Sequence, residues 1–382
     1  MLRRMVFFLI VIIAASISAC QEPQDTIPEL RIGHAPHDHH SALYIACMNP
    51  DYFKKNGDVN LKQIVFKEKY ELRKNDLLLA RITILQGTGG KKGVKKIIEG
   101  ELDMTLGSVP SMLYFIDKEQ PISIILPLMA DGAGFVMSNK YNTISNWDDF
   151  VALVKNSDKA LRIGFKTAQS VQSLILEQAL KESGITYSYD IEESNSQVIL
   201  VNVSAARNLI PALAKGLIDG FVINQPYVAM AETEHVGKVI AYLNELPPKG
   251  RWDGVPCCAL AATKTYLEKY PEVSQSFAGL LLSANKRIIE NPELSIRQIA
   301  EWLDISPEIE KRSVPTISFL SEYNDNWNRG VDFWIETMIH NGIYTNRIKK
   351  AQETGSVNDV IYDMSFYNRV TAEHKDLHRT GK

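Results

Sequence analysis

The chain has 382 residues, a formal net charge of −3 at pH 7, 45% hydrophobic residues and 23% charged residues. Its length exceeds that of one typical domain and is enough for two hydrophobic cores of ordinary size. The apolar content excludes an intrinsically disordered chain, and the charge balance is not that of a nucleic-acid-binding protein.

The N-terminal segment has the residue order of a secretory signal. Arg3 and Arg4 precede an apolar stretch at residues 5–15, and small residues then lead to Cys20. The apolar stretch is too short for a comfortable membrane span, so residues 1–19 are interpreted as a signal peptide. The letters ISAC that end at Cys20 resemble a bacterial lipobox, in which the cysteine is acylated and becomes the mature N-terminus.

An acylated Cys20 predicts a protein that is anchored by lipid to the membrane on the periplasmic side of the cell envelope. Residues 20–29 contain two prolines and are interpreted as a tether between the lipid and the folded body. The alternative is an ordinary signal peptide that ends near a chance cysteine. Cys47, Cys257 and Cys258 remain after Cys20, and three cysteines cannot all pair, so no disulfide framework is expected.

Strand-like and helix-like stretches alternate along the first part of the mature chain. LRIGH predicts a short strand, and an apolar run from Ala42 predicts a helix after a histidine-rich loop. VNLKQIVF and ARITILQ have the β-branched content of strands. KKGVKKIIEG has the apolar spacing of a helix that ends at Gly100, and LDMTLGSVP and ISIILPLM predict two further strands.

A second series of strands and helices begins near Ser138. LRIGF predicts a strand, and Ser170 is expected to cap the helix that follows it. QVILVNV and DGFVI predict strands on either side of the helix NLIPALAKG. The βαβαβ order favours an α/β sandwich with largely parallel strand pairing.

The last third of the chain is helix-like from Thr263 onward. Trp327, Val331, Trp334 and Met338 form one apolar stripe, which we interpret as part of a core. Residues 346–382 are weakly patterned and predict a loosely held C-terminal tail.

Four loops follow predicted strands and carry small or polar residues. In an open α/β sheet, ligands gather at the carboxyl ends of the strands, where helix N-termini offer free N–H groups. The alternative for each loop is a plain turn between a strand and a helix. The predicted ligand contacts from these loops are Gln86, Gly87, Thr88, Gly107, Ser108, Thr167, Gln169, Ser170, Asn224, Gln225 and Tyr227.

The order of these pieces resembles the solute-binding proteins of ABC importers, in particular the nitrate/sulfonate/taurine and thiamine-pyrimidine-precursor group. The resemblance rests on RIGHAPHDHHSALYIACMNPDYFKKNG, GELDMTLGS, LRIGFKTAQS and GLIDGFVINQP. It implies an α/β, two-lobed type II periplasmic binding protein fold, with two α/β sandwiches joined by a two-strand hinge. It also implies a monomer that closes on a small anionic or heteroaromatic molecule and delivers it to a membrane permease, without a cofactor and without catalysis.

The resemblance also places the lobes along the chain. The first lobe would take residues 30–136 and 258–345, and the second lobe would take residues 137–257. The two crossings between the lobes would fall near Phe135 and near Cys257.

Four of the eight histidines lie in the loop GHAPHDHHSA: His34, His37, His39 and His40. One interpretation is a solvated polar loop. A second, which we favour because the resemblance places the loop at the ligand, makes the imidazoles donors to an anionic or heteroaromatic solute. A third is a Zn, Ni or Cu site on His37, His39 and His40, with Cys47, Cys257 or Cys258 as a soft partner.

An enzyme is the alternative from a different class. A pyrimidine-synthesising relative of this fold in yeast uses a histidine and a cysteine-rich motif with iron, and Cys257-Cys258 is a sparse counterpart of that motif. Nucleophilic catalysis would need one Cys–His pair that the fold brings together. Two adjacent cysteines flanked by Pro256 and Ala259 are more often small buried residues.

Overall fold

A computed structural model describes residues 27–87, 90–190 and 195–379, with side chains described up to residue 372. The predicted signal peptide at residues 1–19, the lipidation site Cys20, most of the tether and the predicted ligand contact Thr88 lie outside the described residues. The strands are β1 (Glu29–His34), β2 (Val59–Val65), β3 (Lys69–Lys74), β4 (Leu77–Gln86), β5 (Met104–Ser108), β6 (Ile122–Asp131), β7 (Ala133–Ser138), β8 (Leu161–Phe165), β9 (Tyr187–Ser188), β10 (Val198–Asn202), β11 (Gly220–Asn224), β12 (Gly237–Tyr242), β13 (Pro256–Thr263) and β14 (Ile317–Phe319).

The helices follow the strands in the predicted alternation and then dominate the last third of the chain. They are α1 (Ser41–Met48), α2 (Pro50–Gly57), α3 (Gly90–Ile98), α4 (Val109–Asp117), α5 (Trp147–Lys155), α6 (Val171–Glu182), α7 (Leu209–Ala214), α8 (Tyr227–Thr233), α9 (Lys264–Lys269), α10 (Pro271–Glu290), α11 (Pro292–Leu303), α12 (Pro307–Ser313), α13 (Asp325–His340), α14 (Arg347–Thr354), α15 (Val357–Ile361) and α16 (Met364–Arg379). Ser170 caps α6 as predicted, because its side chain accepts a hydrogen bond from the Ser173 N–H at 3.2 Å.

The strands form two sheets, which confirms the prediction of two α/β units. The larger sheet has the order β14-β6-β13-β5-β1-β4-β3-β2, and the smaller has the order β12-β7-β11-β8-β10-β9. Parallel pairs occupy the centre of each sheet, such as β1 with β4 and β8 with β10. The hairpin strands and the strands next to the crossings pair antiparallel, so the sheets are mixed rather than largely parallel.

The chain first changes sheet at Gly132, between β6 in the larger sheet and β7 in the smaller. It returns between β12 and β13, so the predicted lobe boundaries at 136/137 and 257/258 each divide a strand. The residues on both sides of the first crossing are mostly apolar, so the sequence pattern does not show where β6 ends and β7 begins. Asp131 and Gly132 both have a left-handed backbone conformation, with φ of 59° and 66°.

The C-terminal segment is packed, which corrects the prediction of a loosely held tail at residues 346–382. Ile348, Ile361, Phe366 and Val370 are buried in the same core cluster as Trp327 and Trp334. Ile348 and Ile361 each lie in a short helix, and Phe366 and Val370 lie near the start of α16, so no long periodic stripe marks them in the sequence. Across the residues that the structure describes, we find no helix with the length and apolar character of a membrane span.

We predict that Gly132→Ala destabilises the protein more than a glycine replacement elsewhere at the same backbone angle. A Cβ at Gly132 would lie 2.5 Å from Ile317 Cγ1 and 2.9 Å from His39 Nε2. Steric overlap adds to the left-handed strain, so the free energy of unfolding in urea should fall by about 2–5 kcal/mol.

Gly184→Ala is the matched control. Gly184 has φ of 66°, and a Cβ there would have no atom within 4 Å. Only the left-handed strain applies, at about 1–2 kcal/mol. Equal losses in the two variants would show that the crossing at Gly132 is not sterically constrained.

Candidate functional site

The carboxyl ends of strands from both sheets meet around a cavity of about 640 Å³. Ser108 at the end of β5 and Gly87 after β4 come from the larger sheet, whereas Lys166 after β8 and Asn224 at the end of β11 come from the smaller. The volume lies within the range of about 300–1,000 Å³ that is usual for small-molecule sites. The fold therefore brings the predicted loops together at one cleft between the two units.

Most of the predicted ligand contacts line this cavity. They are His37, His39, His40, Gly87, Gly107, Ser108, Thr167, Gln169, Ser170, Asn224 and Tyr227.

Three predicted contacts lie elsewhere. His34 is fully buried against Tyr44 and Trp302, where burial lowers its pKa to about 4. Gln86 is exposed at the end of its strand, outside the cavity wall. Gln225 is buried, and its side chain accepts a hydrogen bond from the Ala229 N–H at 3.0 Å, so it serves the start of α8.

The histidine loop is held from behind by two carboxyl groups. Asp38 is fully buried and accepts a hydrogen bond from the Ser313 hydroxyl of α12. Glu310 of the same helix is also fully buried, and its carboxyl group lies beside that of Asp38. Burial, followed by the charge of Asp38, raises the pKa of Glu310 to about 10, so Glu310 is neutral at pH 7.

His40 presents a neutral ring nitrogen to the cleft. Its Nδ1 lies 3.0 Å from both the backbone N–H and the carbonyl oxygen of Ala35, so Nδ1 accepts from the first or donates to the second according to the tautomer. Nε2 is buried without a partner in the described part of the chain. Burial, followed by the neighbouring His34, holds the pKa of His40 well below its usual range. His37, whose ring centroid is 4.3 Å from that of His40, is likewise neutral and has an unpartnered Nδ1.

His39 connects the first crossing to the two cysteines. Its Nε2 donates to the Gly132 carbonyl at 2.9 Å, and its Nδ1 lies 3.2 Å from Cys257 Sγ and 3.9 Å from Cys258 Sγ. A hydrogen bond from Cys258 holds the pKa of Cys257 well below its usual range, and the charge of His39 adds to this. Burial opposes a charged His39, but the charge of Cys257 raises its pKa overall.

The predicted histidine metal set is not what the fold assembles. Among the described residues, His39, Cys257 and Cys258 form a group whose potential ligand atoms lie within 4.8 Å of one another, without His37 or His40. Cys47 is buried away from the cavity, with its thiol against Tyr70.

Four cations line the cavity and were missed from the sequence: Lys91, Lys92, Lys166 and Arg207. No described residue in the cavity wall is an aspartate or a glutamate. Lys166 makes no ion pair or hydrogen bond with the residues that the structure describes. Burial lowers the pKa of Lys166, although the nearby Cys258 and Cys257 act in the opposite direction. Its position directly before the Thr167 loop was the available signal.

Comparison with known proteins places the chain in a family. The sequence model described as the NMT1-like family matches residues 24–304. The taurine-binding periplasmic protein of Escherichia coli K12 is 26% identical over 210 residues, which are 55% of this chain and 58% of that protein.

Two solved structures show the fold. The ligand-binding component of an ABC-type import system from Staphylococcus aureus, with zinc bound, superposes with a TM-score of 0.68 at 12% identity, covering 90% of this chain and 99% of that one. The periplasmic nitrate-binding protein of Synechocystis PCC 6803 superposes with a TM-score of 0.66 at 13% identity, covering 91% and 89%. The two-lobed periplasmic binding protein fold expected from the sequence is confirmed.

We predict that Glu310→Gln changes the pH dependence of stability. An unfolded glutamate ionises near pH 4.3, whereas the folded pKa is about 10. Between these values the unfolded chain releases a proton that the folded chain keeps, so the parent loses stability as pH rises, by up to about 1.4 kcal/mol per pH unit. The neutral variant lacks this loss, so its urea stability should exceed that of the parent at pH 8.

The advantage of Glu310→Gln should shrink as the pH falls toward 4.5. Glu308→Gln on the same helix is the control, because Glu308 is exposed and its pair with Lys311 is a surface pair. If the free energies of unfolding of the parent and of Glu310→Gln changed with pH in the same way, Glu310 would not be a neutral, buried group.

Proposed function

Because the chain belongs to the NMT1-like family and has the two-lobed fold of periplasmic binding proteins, we propose that it binds a small anion between its lobes and passes it to an ABC importer. The observation that carries this proposal is the charge of the cleft. Four cations line it, and no carboxylate does so among the described residues. A cavity with cationic walls and low dielectric favours an anion and concentrates it from solution.

Lys166 is the cation best placed to meet the solute charge. It is partly buried and makes no ion pair with the described chain, so the cost of removing its ammonium from water is offset only in part, by the nearby thiols of Cys258 and Cys257. A nitrate or sulfonate oxygen would supply the missing partner. The similar proteins are named for nitrate, which is an anion, and for taurine, a zwitterion with a sulfonate group, and both names support a solute with an anionic oxygen-bearing group.

The histidine loop adds polar groups that carry no charge. Nε2 of His40 is buried in the cavity wall without a partner in the described chain. In the tautomer with its proton on Nε2, the ring would donate to a solute oxygen, which would recover the cost of about 1–3 kcal/mol of a buried unmatched donor. Neutral imidazoles beside lysines suit an oxyanion, because they donate without adding further repulsion between cations.

The same proposal covers location and partners. The family resemblance and the N-terminal sequence support a monomeric protein of the cell envelope that is anchored on the periplasmic side through acylated Cys20. In this role the protein binds without catalysis and requires no cofactor. The proposed partner in the membrane is the permease of the importer.

We predict that Lys166→Gln weakens anion binding by about 10–100-fold, because a charge-assisted hydrogen bond contributes about 1.5–3 kcal/mol. Calorimetric titration with nitrate, taurine and short alkanesulfonates identifies the anion that the parent protein binds. The same anion is then titrated into the variant.

Lys215→Gln is the matched control, because Lys215 is exposed at the end of α7 and lies outside the cavity. It should leave the affinity unchanged. Binding of a neutral or cationic solute in preference to every anion would contradict the proposal, as would equal affinities in the two variants.

We also predict that Cys20→Ala moves the protein from the membrane fraction to the soluble fraction, because the acyl chains are the proposed anchor. Cell fractionation followed by immunoblotting measures this, and Cys47→Ala should leave the distribution unchanged. Retention of Cys20→Ala on membranes would exclude the lipid anchor while leaving the anion site untested by that result.

A further inference from the structure

Cys257 and Cys258 direct both thiols toward one point, although successive side chains of a regular strand face opposite ways. The pairing of β13 with β6 shifts register on both sides of Cys258, so Cys257 has no Cα partner on β6. A β-bulge of this kind re-aims side chains and is common beside functional sites. The two Sγ atoms consequently lie 4.0 Å apart.

His39 completes the set with a ring nitrogen that faces the sulfur atoms. Its Nε2 donates to the Gly132 carbonyl at 2.9 Å, so Nδ1, once it has given up any proton, is the nitrogen that would bind an ion. Nδ1 lies 3.2 Å from one Sγ and 3.9 Å from the other. Metal-binding histidines commonly use one ring nitrogen for the ion and the other for a carbonyl or carboxylate that fixes the ring.

The separations fit coordination of one ion. Bonds of about 2.3 Å to sulfur and about 2.0–2.1 Å to nitrogen at tetrahedral angles place two sulfurs about 3.8 Å apart and each sulfur about 3.6 Å from the nitrogen. Trigonal angles increase these to about 4.0 Å and 3.8 Å. The observed distances of 4.0 Å between the sulfurs and 3.9 Å from Cys258 Sγ to the nitrogen lie within about 0.3 Å of either geometry. The 3.2 Å from Cys257 Sγ to the nitrogen is about 0.4 Å shorter than the tetrahedral value, so the His39 ring would move back by that much to admit an ion.

We propose that His39, Cys257 and Cys258 bind one soft d¹⁰ metal ion, Zn(II) or Cu(I), in the wall of the cleft. Two thiolates and an imidazole are the donors that these ions select over Mg(II) or Ca(II). Two protons leave to the solvent when the ion binds, one from the Cys258 thiol and one from the His39–Cys257 pair. This proposal does not rest on the anion-binding function, because the three ligands are distinct from the cations of the cleft.

The surroundings of the site support metal binding. All three side chains line the cavity, so the ion would keep a position open toward the cleft for water or a bound solute. Gln172 of α6 points its Nε2 at Cys257 Sγ from 3.8 Å, a contact from the other lobe that can orient a thiolate.

The test uses purified protein that is reduced, stripped with a chelator and handled without oxygen. Zn(II) is titrated against a chromophoric competitor, and Cu(I) is titrated against a Cu(I)-selective competitor. Co(II) in place of Zn(II) reports thiolate ligation through sulfur-to-metal charge-transfer absorption. We expect one ion per chain, and the two competition arms decide which ion the site prefers.

Cys257→Ala, Cys258→Ala and His39→Ala should each weaken binding at least about tenfold, since even the loss of an outer partner costs 10–100-fold. Cys47→Ala removes a buried thiol far from the site and should leave affinity unchanged. The charge-transfer band of the parent, and protection of its two thiols from alkylation by bound ion, do not depend on any variant folding.

Three results would overturn the proposal. The first is a parent protein that binds neither ion more tightly than Cys258→Ala does. The second is a Co(II) complex without sulfur-to-metal absorption. The third is metal binding that His37→Ala or His40→Ala abolishes while Cys258→Ala retains it, because the ion would then sit on the histidines alone.

Discussion

The carbonyl oxygen of Gly132 is the point on which the two lobes and the cleft depend. It accepts one hydrogen bond from His39 Nε2 in the first lobe and one from the backbone N–H of Gln225 in the second, both at 2.9 Å. Gly132 is also the residue at which the chain changes sheet, and its left-handed backbone brings the His39 ring close. The crossing therefore fixes where the histidine loop stands relative to the second lobe.

Burial explains why the loop carries histidines in this place. A loop that is closed off from water cannot hold several charged side chains without partners. His37 and His40 remain neutral there and still present ring nitrogens to the cleft, while Asp38 turns away toward α12. The neutral Glu310 beside Asp38 keeps that side of the loop from accumulating two negative charges. The same histidine-rich loop thus has one side that lines the cleft and one side that packs against α12.

The sequence predicted the parts of the site that follow from strand order. Loops at the carboxyl ends of parallel strands converge in any such sheet, so residues such as Ser108 and Thr167 could be placed without coordinates. Lys166 could not, because one lysine in a polar loop looks like any solvated lysine. The paired thiols could not be predicted either, because strand alternation places Cys257 and Cys258 on opposite faces unless a bulge intervenes. His34 was assigned to the cleft because it directly precedes the histidine loop. In the structure it is the last residue of β1 and is buried, and the sequence does not show which residue ends the strand.

The distribution of charge over the two lobes also bears on how the cleft closes. Lys91 and Lys92 line it from the first lobe, and Lys166 and Arg207 line it from the second. Two like charges about 8 Å apart at an effective dielectric constant of 20 repel by about 2 kcal/mol, so cations on both lobes would oppose closure of an empty cleft. If the cleft binds an anion as proposed, the anion would turn this repulsion into attraction on both sides and would give the closed form a differential affinity for the solute. Neutral solutes of the same size would lack that term, so the proposed function assigns to the same cations both the choice of ligand and the closure of the lobes.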